Sequence, residues 1–276
     1  MFSSRKCFLI KLLKPISEII KHEDLEMKEE QSITFKREIL TLQGRLHLPE
    51  QDKFDLAILV YGFAGHMNNS PCKLLPDLAR ELWKKNIATL RFEFSGHGDS
   101  DGVIEDMNVF SQLLDANAAL QYALHLNGVK HVFMIGHSQG GVVTSMIAGM
   151  YPDKLAKEVL INPAATLVDD AKVGTCYGVD YDPNHIPETL ELPAFTLKDF
   201  YFRSAKFLNI YEYAKHFTGK ALILAGENDE IVNNYASRHY HALLPDNEYY
   251  VLKGGNHNMD KTRQEVNELT VNFLSR

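Results

Sequence analysis

Apolar and polar positions change period several times along this chain, and each change marks an element. Residues 33–48 alternate with period two, which predicts two antiparallel strands turning at Gln43-Gly44. Short apolar runs at 55–61, 87–94, 132–135, 158–162, 221–225 and 248–252 predict buried strands. Between them, 73–85, 108–126, 140–150, 233–243 and 261–274 carry the spacing of helices. Repeated strand-helix units predict an α/β fold, with a mostly parallel twisted sheet and helices on both faces. Residues 163–217 break the alternation. They hold Pro163, Pro183, Pro187 and Pro193 and many aromatics, and they leave the sheet at its carboxyl edge, where ligands bind. This stretch is predicted to be an inserted lid. The domain organisation expected is an N-terminal extension over 1–31 and one domain over 32–276 with the lid inside it.

Composition narrows the class. A chain of 276 residues, 45% hydrophobic and 24% charged, suits one large globular domain. Its formal net charge of −7 and the lack of a basic stripe argue against nucleic-acid binding. Cys7, Cys72 and Cys176 are scattered and odd in number, which suits a reducing, cytoplasmic setting rather than a disulfide framework. No run of 18 apolar residues predicts a spanning helix. The first 20 residues start like a signal peptide, but Lys11, Lys14 and Pro15 interrupt the apolar stretch. They read either as a basic amphipathic segment on a membrane surface or as an unstructured extension ahead of a start at Met27.

The chemistry concentrates at Gly136-His137-Ser138-Gln139-Gly140. A strand runs into this turn and a helix leaves it, so Ser138 sits at the apex of a nucleophile elbow. The residues two before and two after must be small, and both are glycine. A serine hydroxyl needs a base, and the base needs an orienting group. In this strand-helix order the acid and then the histidine should follow the serine. Asp229 lies just beyond the strand 221–225 and His257 in a glycine-rich loop beyond 248–252, so they are the expected acid and base. Glu227 and Glu230 compete with Asp229. His97 and His137 are read as packing and hydrogen-bonding residues. The oxyanion donors expected are the backbone N–H groups of Gln139 and of Phe63, the latter in Gly62-Phe63-Ala64-Gly65. This chemistry needs no cofactor, and no metal motif is present.

Four segments carry a resemblance: Gly62-Phe63-Ala64-Gly65, the Arg91 to Ser100 run R-F-E-F-S-G-H-G-D-S, Gly136 to Gly141, and Asn162-Pro163-Ala164-Ala165-Thr166-Leu167. Together they resemble bacterial cinnamoyl (feruloyl) esterases of the α/β-hydrolase fold. The likeness runs from about Ser32 to the C-terminus and includes the lid. It implies the same Ser138, Asp229 and His257 triad and the same donors at Phe63 and Gln139. It also implies that Asp170 and Tyr201 meet the phenolic end of a hydroxycinnamate. From the residues alone, the alternative reading makes Asp169/Asp170 a helix cap or surface pair and Tyr201 lid core. Two positions depart from the family: Tyr61 stands where a histidine is usual, and Tyr177 where the lid often carries a glutamine, placing Tyr177 among the expected substrate contacts. The implied partner is a small aromatic ester; a homodimer stays open. General short-chain carboxylesterase or monoacylglycerol lipase activity is the alternative, and a non-hydrolytic binder on the same fold is a third.

Overall fold

The computed structural model describes residues 30–68 and 73–276. The N-terminal extension therefore lies outside the described residues, save for its last two. The chain opens with an antiparallel hairpin of β1 (Gln31–Arg37) and β2 (Leu40–His47). Its turn is not at Gln43-Gly44. The chain reverses at Glu38-Ile39, with Glu38 at φ +54°. Gly44 instead sits inside β2 opposite Ile33, where a Cβ would lie 3.0 Å from the Arg91 carbonyl on the neighbouring strand. A glycine within a strand here marks close backbone approach, not a turn.

Strands and helices then alternate: β3 (Phe54–Val60), α1 (Leu74–Trp83), β4 (Ile87–Phe92), α2 (Val109–Leu124), β5 (Val129–His137), α3 (Gln139–Met150) and β6 (Lys157–Ile161). The inserted stretch follows, with α4 (Leu167–Val173), β7 (Thr175–Cys176), β8 (Val179–Asp180), β9 (Thr189–Glu191), β10 (Thr196–Lys198), α5 (Asp199–Ala205) and α6 (Ile210–Ala214). The chain returns through β11 (Lys220–Gly226), α7 (Tyr235–Leu243), β12 (Asn247–Leu252) and α8 (Arg263–Leu274). The main sheet has eight strands in the order β1-β2-β4-β3-β5-β6-β11-β12. β2 runs antiparallel to β4, and from β4 to β12 every pairing is parallel.

The centre of the sheet explains its sequence. β4 is buried along its whole length and β5 from Val132 onward; β5 reads as a continuous apolar run over 132–135, whereas β4 buries Thr89 and Arg91 among its apolar residues. α3 is buried on every side except at Met150. A helix apolar all round belongs in a core, and this one has β5 beneath it and α6 on top. Gly149 permits that contact, because a Cβ there would lie 1.8 Å from the Tyr213 carbonyl of α6. α2 begins with a capping box: the Asn108 side chain accepts from the Ser111 N–H, and the Ser111 hydroxyl accepts from the Asn108 N–H. Parallel strands β3, β5, β6, β11 and β12 all deliver their carboxyl ends to one edge, and the inserted stretch lies between two of them in sequence.

Candidate active site

β5 ends at His137 and α3 begins at Gln139, so Ser138 alone must redirect the chain. It does so at φ +58°, ψ −125°, a backbone conformation costly for a residue with a side chain. Its own backbone is tied down to hold that geometry. The Ser138 N–H donates to the Ile161 carbonyl at 2.9 Å, and its carbonyl accepts from the N–H groups of Gly141 at 2.9 Å and Ala164 at 3.0 Å. The flanking glycines are a steric requirement. A Cβ on Gly136 would lie 2.2 Å from the Gly140 carbonyl oxygen, and one on Gly140 would lie 2.2 Å from that of Val60.

The ends of β5, β11 and β12 bring three side chains together. His257 Nε2 lies 2.9 Å from Ser138 Oγ, and His257 Nδ1 lies 2.8 Å from Asp229 Oδ2. Asp229 Oδ1 accepts the N–H groups of Ile231 and Val232, each at 2.9 Å, which fixes the carboxylate toward the imidazole. The Asp229 side chain is buried and that of His257 is 12% exposed. Neither rival acid reaches the ring in this way. Glu227 accepts the Gly254 N–H at 3.0 Å and so shapes the turn before His257, while Glu230 stands on the rim of the cavity.

His137 holds His257 from behind. Burial and the nearby His257 push its pKa down to about 3, so its ring is neutral. Its Nε2, 2.8 Å from the His257 carbonyl oxygen, must then carry the proton and donate. Asn162 donates to the same carbonyl at 2.9 Å and to that of Asn256 at 3.2 Å, and accepts the Gly226 N–H at 2.7 Å. One amide thus knots the ends of β6 and β11 to the loop of His257. Sequence reasoning gave Asn162 no role beyond its place in a motif; a polar residue directly after a buried strand, followed by proline, was the available signal. His97 packs as expected, its Nδ1 3.2 Å from the Ser95 carbonyl oxygen and its pKa lowered by burial.

The loop after β3 presses against Ser138. A Cβ on Gly62 would meet Ser138 Cβ at 2.6 Å. The N–H groups of Phe63 and Gln139 have no hydrogen-bond partner among the described residues. Tyr61 is wholly buried and accepts the Phe94 N–H through its hydroxyl at 2.9 Å. The far side of the loop is braced by Glu93, which accepts the Met67 N–H at 3.1 Å, and by Arg91, which donates to the Met67 carbonyl at 3.0 Å and pairs with Glu30.

A cavity of about 540 Å³ opens over Ser138, walled by Phe63, Tyr177, Tyr181 and Tyr201, with Asp170 and Cys176 among its polar lining. Burial pushes the Asp170 carboxyl up from the usual range, and pushes the Cys176 thiol and the Tyr181 phenol each up to about 12. Asp169, not Asp170, takes the surface role: it accepts the Tyr235 hydroxyl at 2.6 Å and pairs with Lys172. Tyr177 sits at the tip of the β7–β8 hairpin at φ +50°, followed by Gly178 at φ +79°, with its ring 5.4 Å from that of Phe63. Tyr201 differs from the expectation in one respect. Its ring lines the cavity, but its hydroxyl donates to Gln139 Oε1 at 2.7 Å.

A protein-family model described as serine aminopeptidase, S33 (Hydrolase_4) matches residues 55–177. The monoglyceride lipase of Rattus norvegicus is 30% identical over 110 residues, which cover 37% of this chain and only about a third, 34%, of that protein. The structure is similar to Est1E from Butyrivibrio proteoclasticus solved with ferulic acid bound, at TM-score 0.83 and 29% identity, covering 88% of this chain and 97% of that one. Est1E in a second structure matches at TM-score 0.80 and 26% identity, with the same coverage of both chains. With the sheet order, these likenesses make the fold that of the α/β-hydrolases.

Proposed function

We propose that this chain is a serine esterase that hydrolyses feruloyl, p-coumaroyl and caffeoyl esters through an acyl-enzyme intermediate. The observation that carries the proposal is the file of Ser138, His257 and Asp229 at the floor of an aromatic-walled cavity that also holds a half-buried carboxyl. Ser138 Oγ attacks the ester carbonyl while His257 Nε2 takes its proton. Asp229 keeps the Nδ1 proton in place and stabilises the imidazolium that forms. The carbonyl oxygen becomes an oxyanion between the N–H groups of Phe63 and Gln139. Collapse expels the alcohol with the proton from His257. Water, deprotonated by the same imidazole, then releases the acid.

In this reading the inserted stretch, residues 163–217, is a lid that supplies the acyl site. The rings of Tyr177, Tyr181 and Tyr201 suit a flat conjugated acyl group. Asp170 accepts the hydroxyl of a phenol. The ferulic acid bound to the similar Est1E favours this substrate class. The likeness to monoglyceride lipase favours a second reading, hydrolysis of aliphatic glycerol esters. Parallel kcat/KM measurements on methyl ferulate, caffeate, p-coumarate and sinapate and on p-nitrophenyl butyrate and a monoacylglycerol test the two. The proposal expects the hydroxycinnamates to lead; clear preference for the aliphatic esters overturns it.

A further inference from the structure

Both groups assigned to the oxyanion hole are gripped, through their side chains, by one residue of the inserted stretch. Tyr201 on α5 donates its hydroxyl proton to Gln139 Oε1 at 2.7 Å, and its ring lies 5.5 Å from that of Phe63. The grip continues inward. Gln139 Nε2 donates to Gln112 Oε1 at 2.7 Å, and Gln112 Nε2 reaches the Met107 sulfur at 3.5 Å. Tyr201, Gln139 and Gln112 are all buried, at 6%, 3% and 1% exposure, so water does not compete for these bonds. The Gln139 side-chain oxygen is thus held from the lid side and its nitrogen from α2. On the other flank, the rings of Tyr177 and Phe195 lie 5.4 Å and 5.2 Å from Phe63.

We propose that Tyr201 and Gln112 are positioning residues, which set the Gln139 N–H toward the oxyanion through a Tyr201–Gln139–Gln112 relay. The inference rests on the esterase reading above and gives Tyr201 a part independent of any phenolic group on the substrate. Its one hydroxyl proton is committed to Gln139, so toward substrate it offers only acceptor lone pairs. Gln112 does not line the cavity, so an effect of changing it must travel through Gln139. Seating α5 and aligning the oxyanion donor become a single event: with this helix displaced, the Gln139 side chain loses one of its two clamps.

The test compares methyl ferulate with methyl cinnamate, which lacks the phenolic hydroxyl, in Tyr201→Phe, Gln112→Leu and the double variant. Complete loss of an oxyanion donor costs about 10²–10³ in rate, and misalignment costs part of that. Each single variant is expected to lower kcat roughly tenfold on both esters with KM nearly unchanged. The double variant should lose little more than either single, because both break one relay. Gln112→Glu, which keeps an acceptor oxygen facing Gln139 Nε2, should recover most of the rate. A Tyr201→Phe loss confined to methyl ferulate, or a folded Gln112→Leu with unchanged kcat, overturns the relay. Should Gln112→Leu fail to fold, Tyr201→Phe on methyl cinnamate decides alone, with unchanged kcat refuting the proposal. A native chain that turns over neither ester, nor p-nitrophenyl butyrate, removes the esterase reading itself.

Discussion

Gly62→Ala is a one-methyl change aimed at the narrowest point of the site. The added Cβ would fall 2.6 Å from Ser138 Cβ, 3.0 Å from the His137 carbonyl oxygen and 3.1 Å from Ser138 Oγ. Carbon atoms rest about 3.5–4.0 Å apart, so the overlap approaches 1 Å. Gly62 does not sit at positive φ, so the backbone accepts alanine and the cost is steric alone. Ser138 cannot retreat, because three backbone hydrogen bonds fix it at its unusual φ. The 62–65 loop must move instead, and it carries the Phe63 N–H with it. A misplacement of that size costs about 10²-fold, and full loss of an oxyanion donor about 10²–10³. We therefore expect kcat/KM for p-nitrophenyl acetate and methyl ferulate to fall by about 10²–10³. The melting temperature should drop by only a few degrees, as for about 1–2 kcal/mol of overpacking. Steady-state kinetics beside a thermal melt measure both. A folded Gly62→Ala protein within threefold of the native rate refutes the reasoning.

Ser138→Ala should lower kcat by about 10⁶, by analogy with other serine hydrolases, and near-native turnover of methyl ferulate by that variant means another nucleophile. Asp170→Ala should reduce kcat/KM for methyl caffeate at least tenfold more than for methyl butyrate, since a lost hydrogen bond to a charged group is worth about 1.5–3 kcal/mol; equal losses on both esters make Asp170 a structural residue. Glu158 on β6 is wholly buried, has no side-chain hydrogen bond among the described residues, and has its pKa pushed up to about 8 by burial. Above its ordinary pKa of 4.5 the unfolded chain releases this proton while the folded chain keeps it, so stability falls as pH rises from there to about 8. At about 1.4 kcal/mol per unit the penalty approaches roughly 5 kcal/mol, and Glu158→Gln should flatten the decline between pH 6 and 9 in urea melts; an unchanged pH slope disproves it. Asn162→Ala should cut kcat by about tenfold through a loosened His257 loop, with stability falling by about 1–3 kcal/mol for the bonds left unmade; full activity in that variant removes its positioning role.

Much of the fold and of the candidate site is legible in the sequence, and the reasons are local. Period-two alternation predicts the antiparallel hairpin, which has one face covered, and short apolar runs predict the parallel strands, which are covered on both faces. Gly136 and Gly140 announced the elbow because no other residue fits between strand and helix there. Asp229 and His257 followed from chain order and from their places at strand ends. The hairpin turn was misplaced because Gly44 signals close approach to Arg91 as readily as it signals a turn, and Glu38 at φ +54° carries no turn signature. The roles of Gln112 and Asn162 were out of reach for a different reason. Each acts through side-chain bonds to residues 27 and 95 positions away, and no spacing rule encodes such partners. Tyr201 was found by likeness, but the direction of its hydroxyl depends on a glutamine on another helix.

The two halves of the reactive pair lie 119 residues apart in sequence. While the polypeptide is still being made, the hydroxyl emerges well before the imidazole, and in between it is only an alcohol on a half-built scaffold. Competence toward esters requires β12 and the loop after it to be docked, because that loop carries His257. A product that stops short of His257 therefore holds the hydroxyl without the group that would take its proton.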